Sequence, residues 1–242
     1  MKFPYVTEAL PRKLAIARFN KFRDTEYGTA VIRGCSDQPD EYADLSFMYD
    51  ETPEELVAKA AEIDVLEWLA ERKAEEWGRL SDERVELIRQ FEPNFRRIVI
   101  SDAELVGPKW PENVVPLDSL CLLIDLETRA PLDQVVITVL PTNETWQAAC
   151  YLKIGGYNDM PLPQQHSALW KYWQQQYGAS IAGVRGEIVE FTVKRPPKTR
   201  EDALVLAKQH WIYCGDLYQE VGSVERLAAR LLNAPVWFFW WD

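Results

Sequence analysis

The sequence predicts an α+β fold: a mixed or mainly antiparallel central sheet covered by helices, with an aromatic C-terminal strand inserted in the sheet. Three observations point there. Apolar runs of strand length, Leu120-Cys-Leu-Leu-Ile-Asp-Leu126, Gln134–Leu140 and Glu187–Val193, are bounded by turn residues. Helix start signals at Thr52, Pro163, Thr199 and Ser223 each precede residues of helical periodicity. The chain also ends Val236-Trp-Phe-Phe-Trp-Trp-Asp242, a run too apolar to hang in water. Each aromatic side chain can bury roughly 150–250 Å², at about 25 cal/mol per Å². Strand alternation sends Trp237, Phe239 and Trp241 to one face and Phe238 and Trp240 to the other, as in an inner strand covered on both sides.

From the N-terminus, Leu14–Phe19 and Thr29–Arg33 read as strands around a turn near Asp24–Gly28. Residues 34–44 read as a polar loop and Leu45–Tyr49 as a short strand. Thr52, Pro53 and Glu55 form a capping box with proline at the first helical position. Leu56, Ala60, Ile63, Leu66, Ala70, Ala74 and Trp77 then recur along one helix that Gly78 ends. Ser81 starts a second helix through Gln90, and Arg97–Ile100 is a short strand. The prolines of Gly107-Pro-Lys-Trp-Pro111 belong to a loop over 101–119. That loop divides the chain into an N-terminal region, 1–118, with an acidic helix pair, and a C-terminal α+β domain, 119–242.

In the second half, 120–126 and 134–140 read as inner strands joined across Thr128–Asp133, and Ala148–Ile154 as a further strand ending at Gly155-Gly156. A helix runs from Pro163 to Tyr177, with His166, Leu169, Trp170, Trp173 and Tyr177 on one face and Gly178 closing it. Strand 187–193 follows. Thr199 then caps a helix that lines up Ala203, Leu206, Ala207, His210 and Cys214, and Ser223 caps a last one before the closing strand at 236–241.

Composition narrows the function. A formal net charge of −11 lacks the cationic footprint of a nucleic-acid binder and opposes an anionic membrane surface, while it suits a basic protein partner. Four cysteines, Cys35, Cys121, Cys150 and Cys214, show no metal-binding spacing, so a reduced, cytoplasmic protein without metal or cofactor is expected. The first eight residues lack the apolar core of a signal peptide.

Gly155-Gly-Tyr-Asn158 with Pro161, Arg195-Pro-Pro-Lys-Thr-Arg-Glu-Asp-Ala203, Tyr213-Cys214 and the terminal Trp237–Asp242 run resemble the bacterial "domain of unknown function 4253" family over roughly the last hundred residues. At Cys214-Gly-Asp216 the sequence departs from that pattern, which has a proline after the cysteine. The resemblance implies a compact α+β module of bacterial origin and carries no activity with it.

Three functional readings follow. The first is a protein–protein binding module, an immunity- or antitoxin-like protein that occludes the basic cleft of a toxin. Its face would be the acidic helix 53–77 or exposed members of Trp110, Tyr157, Asn158, Trp170 and Trp173. The second is an enzyme with Asn158, Asp159, His166, His210 and Cys214 around one site. His210 and Cys214, four apart on a helix, would be base and nucleophile. The third is a small-ligand binder with an aromatic-lined pocket. Convergence of the titratable side chains in a cleft separates the second from the others. Asp242 carries two carboxylates, so it must reach solvent or meet Arg195, Lys198 or Arg200.

Overall fold

A computed structural model of the chain describes residues 4–24, 28–35, 49–78 and 110–242. The strand expected at 97–100, the helix at 81–90, the strand at 45–49 apart from Tyr49, and residues 36–44 and 101–109 of the two loops lie outside the described residues. The elements are β1 (Val6–Pro11), α1 (Arg12–Asp24), β2 (Thr29–Gly34), α2 (Pro53–Glu62), α3 (Val65–Gly78), β3 (Gln134–Leu140), α4 (Ala148–Leu152), α5 (Pro163–Tyr177), β4 (Ala179–Arg185), β5 (Ile188–Val193), α6 (Arg200–Tyr213), α7 (Leu217–Val221), α8 (Val224–Leu231) and β6 (Val236–Trp240).

The expected α+β architecture is present as a mixed six-stranded sheet in the order β1-β3-β2-β4-β5-β6. Its neighbours are antiparallel except β2 and β4, which run parallel through Ile32 and Gly183. One face carries the large core, to which α3 gives Trp68 and Leu69, α5 gives Leu169, Trp170 and Trp173, and α6 and α8 give Leu206, Tyr213 and Leu227. The opposite face is covered by Ala15 and Phe19 of α1 and by Leu122, packed on Ile32, Ile137, Ala182 and Ile188.

The sheet does take in the aromatic end, but at the edge of its described strands rather than between two of them. β6 is last in the strand order and pairs with β5 from Val236–Thr192 to Trp240–Ile188. The alternation holds: Trp237, Phe239 and Trp241 are each 0% exposed, while Phe238 and Trp240 are half-buried on the other face. The thiol of Cys214 donates to the Trp240 carbonyl at 3.0 Å, satisfying one acceptor near the end of this strand.

The caps fall where the residues place them. Thr52 and Glu55 close the capping box on α2. The hydroxyls of Thr199 and Ser223 accept from the N–H groups of Asp202 and Arg226, and Gly178 ends α5 with φ of 62°. The helix expected over 53–77 is instead two. Its periodicity runs through Ile63, but the Asp64 carboxylate accepts from the N–H groups of Leu66 and Glu67 and starts α3 afresh.

Three other expectations are corrected, and one strand is added. Leu14–Phe19 is helical, because Ala15, Phe19 and Phe22 share a helical stripe that packs on the sheet. Ala148–Ile154 enters α4; almost every residue there is buried, so its apolar run shows no period to read. β4 was not expected at all, being rich in small residues, with Gly183 left without a side chain so that Leu122 can lie on it. Leu120–Leu126 forms a 3₁₀ turn at Cys121–Leu123 and one bridge between Ile124 and Pro131. The N–H groups of Cys121 and Leu122, which a ladder would use, go to the carboxylate of Glu190 instead.

Candidate functional site

The groups with chemical potential gather around the loop Gly155–Pro161, between α4 and α5. Gly155, Gly156, Asn158 and Asp159 all have positive φ, 99°, 84°, 44° and 56°. A side chain at Gly155 would run into the Pro161 carbonyl and the His166 ring, so glycine is required there. Gly156 donates its N–H to the carbonyls of Met160 and Pro161, each at 3.1 Å, which folds the loop back on itself. Tyr49 donates its hydroxyl to the Gly155 carbonyl at 2.7 Å. Asn158 donates its amide to Glu187 at 2.6 Å.

Arg72 of α3 ties this loop to the end of α6. Its guanidinium donates to the carbonyls of Asp159 at 2.5 Å, Ile212 at 2.9 Å and Tyr213 at 3.4 Å. These are bonds that a charged donor makes stronger. Replacing Arg72 with Met keeps the stem but leaves three carbonyls without that donor. The expected loss is about 1–3 kcal/mol, read as a lower urea midpoint with an unchanged slope.

Beneath the loop, His166 is 0% exposed. Its Nδ1 lies 2.7 Å from the Tyr213 hydroxyl, which also accepts from the Trp170 indole at 3.0 Å. The phenol has one proton, and Trp170 fills an acceptor position. The network closes when Tyr213 donates to Nδ1, which places the imidazole proton on Nε2. Nε2 itself is buried and has no hydrogen-bond partner. Burial, and then the charge of Arg72, hold the His166 pKa well below the usual imidazole range. Burial likewise pushes the Tyr213 phenol well up.

The expected pairing of His210 with Cys214 does not form. The bond between them is a backbone one, from the Cys214 N–H to the His210 carbonyl at 2.9 Å. The His210 ring faces Trp173, Trp237 and Phe239, with centroids 4.7–4.8 Å away, and burial lowers its pKa well below the imidazole range. The Cys214 thiol points to Trp240 instead, and burial, then the charge of Asp216, push its pKa far up. A buried thiol of raised pKa is a poor nucleophile. Asn158 and Asp159 are exposed. The five residues of the enzyme reading therefore share a neighbourhood without lining one cleft. Among the described residues, no group of three or more His, Cys, Asp or Glu could hold a metal ion.

Of the residues expected on a binding surface, Trp170 and Trp173 are core, 1% and 0% exposed. Trp170 lies edge-on to Phe191, and Trp173 stacks on Phe239 with an interplanar angle of 7°. Tyr157 and Trp110 are half-buried, and the Arg200 guanidinium sits 4.9 Å from the Trp110 ring centre. Asp242 is exposed, and its N–H donates to Asp216. Arg195 bonds the carbonyls of Gln174 and Gln175, and Lys198 bonds Asn233. Of the two expected alternatives, solvent or a basic clamp, the terminal carboxylates thus take the solvent route.

Sequence reading passed over Glu190. This carboxylate is fully buried in β5 and accepts from the N–H groups of Cys121 at 2.6 Å and Leu122 at 2.9 Å. The signal was present: one ionisable residue in the middle of an apolar strand, Ile188–Val193.

Among the described residues no helix is long and apolar enough to cross a membrane. None of the curated proteins and none of the solved structures compared with the chain matches it. One family model does, over residues 136–242, from β3 through the glycine loop and the aromatic core to the last residue. Over these residues the chain matches the model of the family described as "Domain of unknown function (DUF4253)".

Proposed function

We propose that the protein is a cytoplasmic protein-binding module, an immunity- or antitoxin-like protein that occludes a basic surface on a toxin. The observation that carries this reading is the exposed face of α2 and α3. Glu54, Glu55, Glu62, Asp64, Glu67 and Glu71 are exposed there, and Leu66 is 60% exposed among them. Lys59 is taken up by Glu51 at 2.6 Å, and Arg72 by the carbonyls already described. An exposed apolar side chain on a helix pair rich in exposed carboxylates suits a cationic partner, since complementary charge speeds encounter and fixes register. The burial of His166, His210 and Cys214 is what weighs this reading above the enzyme one.

The test uses Glu62→Lys, Glu67→Lys and Glu71→Lys together. Glu55 and Asp64 are left alone because they cap helices. The wild-type chain is used to capture its partner from the source cells, and the purified pair is titrated at low and high salt. The expected partner is basic, and its affinity falls at least tenfold in the triple variant and falls again with salt. An acidic partner, or equal affinity for both forms at matched thermal stability, overturns the reading.

A further inference from the structure

The segment Leu120–Leu132 crosses the sheet face opposite the aromatic core. It is a folded-back loop: Ile124 bridges Pro131, Asp125 donates its N–H to the Ala130 carbonyl at 2.8 Å, and Leu132 to the Leu123 carbonyl at 3.1 Å. The Asp125 carboxylate holds the turn by accepting from the N–H and hydroxyl of Thr128. Leu120, Leu123 and Leu132 pack against this face, and two central attachments add to them. Leu122, 1% exposed, lies over Gly183, where a Cβ would crowd its Cδ1. Beside it, Glu190 receives the N–H groups of Cys121 and Leu122.

Glu190 pairs across the sheet with Phe238 on β6 and Gly183 on β4, so its strand neighbours are uncharged. From the loop the titratable side chain that meets it is the Cys121 thiol. Arg230 and Glu220, paired with each other at 3.0 Å, act on that thiol from farther away. Arg185 acts on Asp125 at the loop's other end. A carboxylate in such surroundings is costly once charged, and two N–H donors offset that cost in part.

We propose that Leu120–Leu132 is a pH-gated strap, seated on the sheet while Glu190 is protonated and loosened as Glu190 ionises, which exposes the half-buried Cys121 thiol further. Burial, opposed by the bonds to Leu122 and Cys121, pushes the Glu190 carboxyl up from 4.5 to about 7. With the strap open the carboxyl meets water and keeps its ordinary value. The seated state therefore holds a proton that the open state gives up. Seating is strongest below pH 4.5, and opening rises about tenfold per pH unit between 4.5 and 7 and levels above 7.

Hydrogen exchange on the full chain tests this, with the amides of Cys121 and Leu122 followed from pH 5 to 8 and corrected for intrinsic rates. Alkylation of Cys121 in a Cys35→Ser background, corrected for thiolate fraction, gives a second readout. The expected result is a rise of about tenfold per unit up to pH 7, then a plateau, with β3 amides unaffected. Glu190→Gln should abolish the slope. Should that variant fail to fold, Leu122→Ala replaces it: opening increases at every pH and the slope is kept. A flat profile in the wild type, a slope that survives Glu190→Gln, or the same slope in the β3 amides overturns the proposal.

Discussion

Removal of Trp240, Trp241 and Asp242 is expected to abolish the cooperative thermal transition. Trp241 is 0% exposed and lies edge-on to His166 and Tyr213, with centroids 5.9 and 5.1 Å away. Emptying a buried tryptophan site costs about 3–5 kcal/mol even when the chain continues past it. The deletion also takes away the Trp241 N–H bond to the Glu187 carbonyl and the acceptor of the Cys214 thiol. It opens the chamber that holds the Tyr213–His166 bond, so those buried polar groups meet water. The sum reaches the scale of a domain's net stability, roughly 5–15 kcal/mol. Calorimetry of the truncated chain checks this, and a sharp endotherm near the full-length temperature would refute it.

Trp173→Ala is the most damaging single substitution expected. Its ring stacks on Phe239 and meets Phe191, Tyr213 and Trp237 edge-on, at centroid distances from 5.2 to 6.1 Å. It also lies 4.8 Å from the His210 ring and donates its indole N–H to Gln209 at 2.9 Å. A cavity of that size among rigid rings cannot collapse, so the cost falls toward the upper end of about 3–5 kcal/mol. Water entering it would also reach His210. That histidine is held neutral by burial, so its contribution to stability is present above the ordinary imidazole pKa, 6.5, and is lost as pH falls below it. The variant should unfold at lower urea than wild type, with the gap narrowing below pH 6.5. A gap that stays constant from pH 8 to 5 would show that His210 remains sealed.

Much of this fold is legible in the residues because local and global preferences agree. Thr52 with Glu55, Thr199, Ser223 and Gly178 mark helix ends by bonds to nearby backbone, and those bonds form. The alternation of Trp237, Phe239 and Trp241 also reads correctly. What escapes is set by distant partners. Nothing near Ala179–Arg185 announces a strand; Gly183 makes sense beneath Leu122, which lies far away in the chain. The apolar run at Leu120 is a strand by composition and becomes a turn because Glu190 claims its N–H groups. The edge position of β6 depends on strand order, which alternation does not encode.

At the candidate site the structure buries residues that the enzyme reading needs in a cleft. His166 lies against the loop at Gly155, and His210 and Cys214 lie at the end of α6, yet rings and carbonyls seal all three. Periodicity places a side chain on a face. It does not say whether that face ends at a cleft or in a core.

The placement of β2 bears on how the molecule assembles. This strand lies between β3 and β4, and its parallel partner, Gly183 to its Ile32, comes from the far half of the sequence. The two halves of the sheet stay unjoined until an early piece of the chain is threaded between two later ones. Such non-local closure makes for slow folding. A fragment cut to residues 136–242 would hold β3 and β4 without the strand that bridges them, and would present open ladders on which copies could stick together.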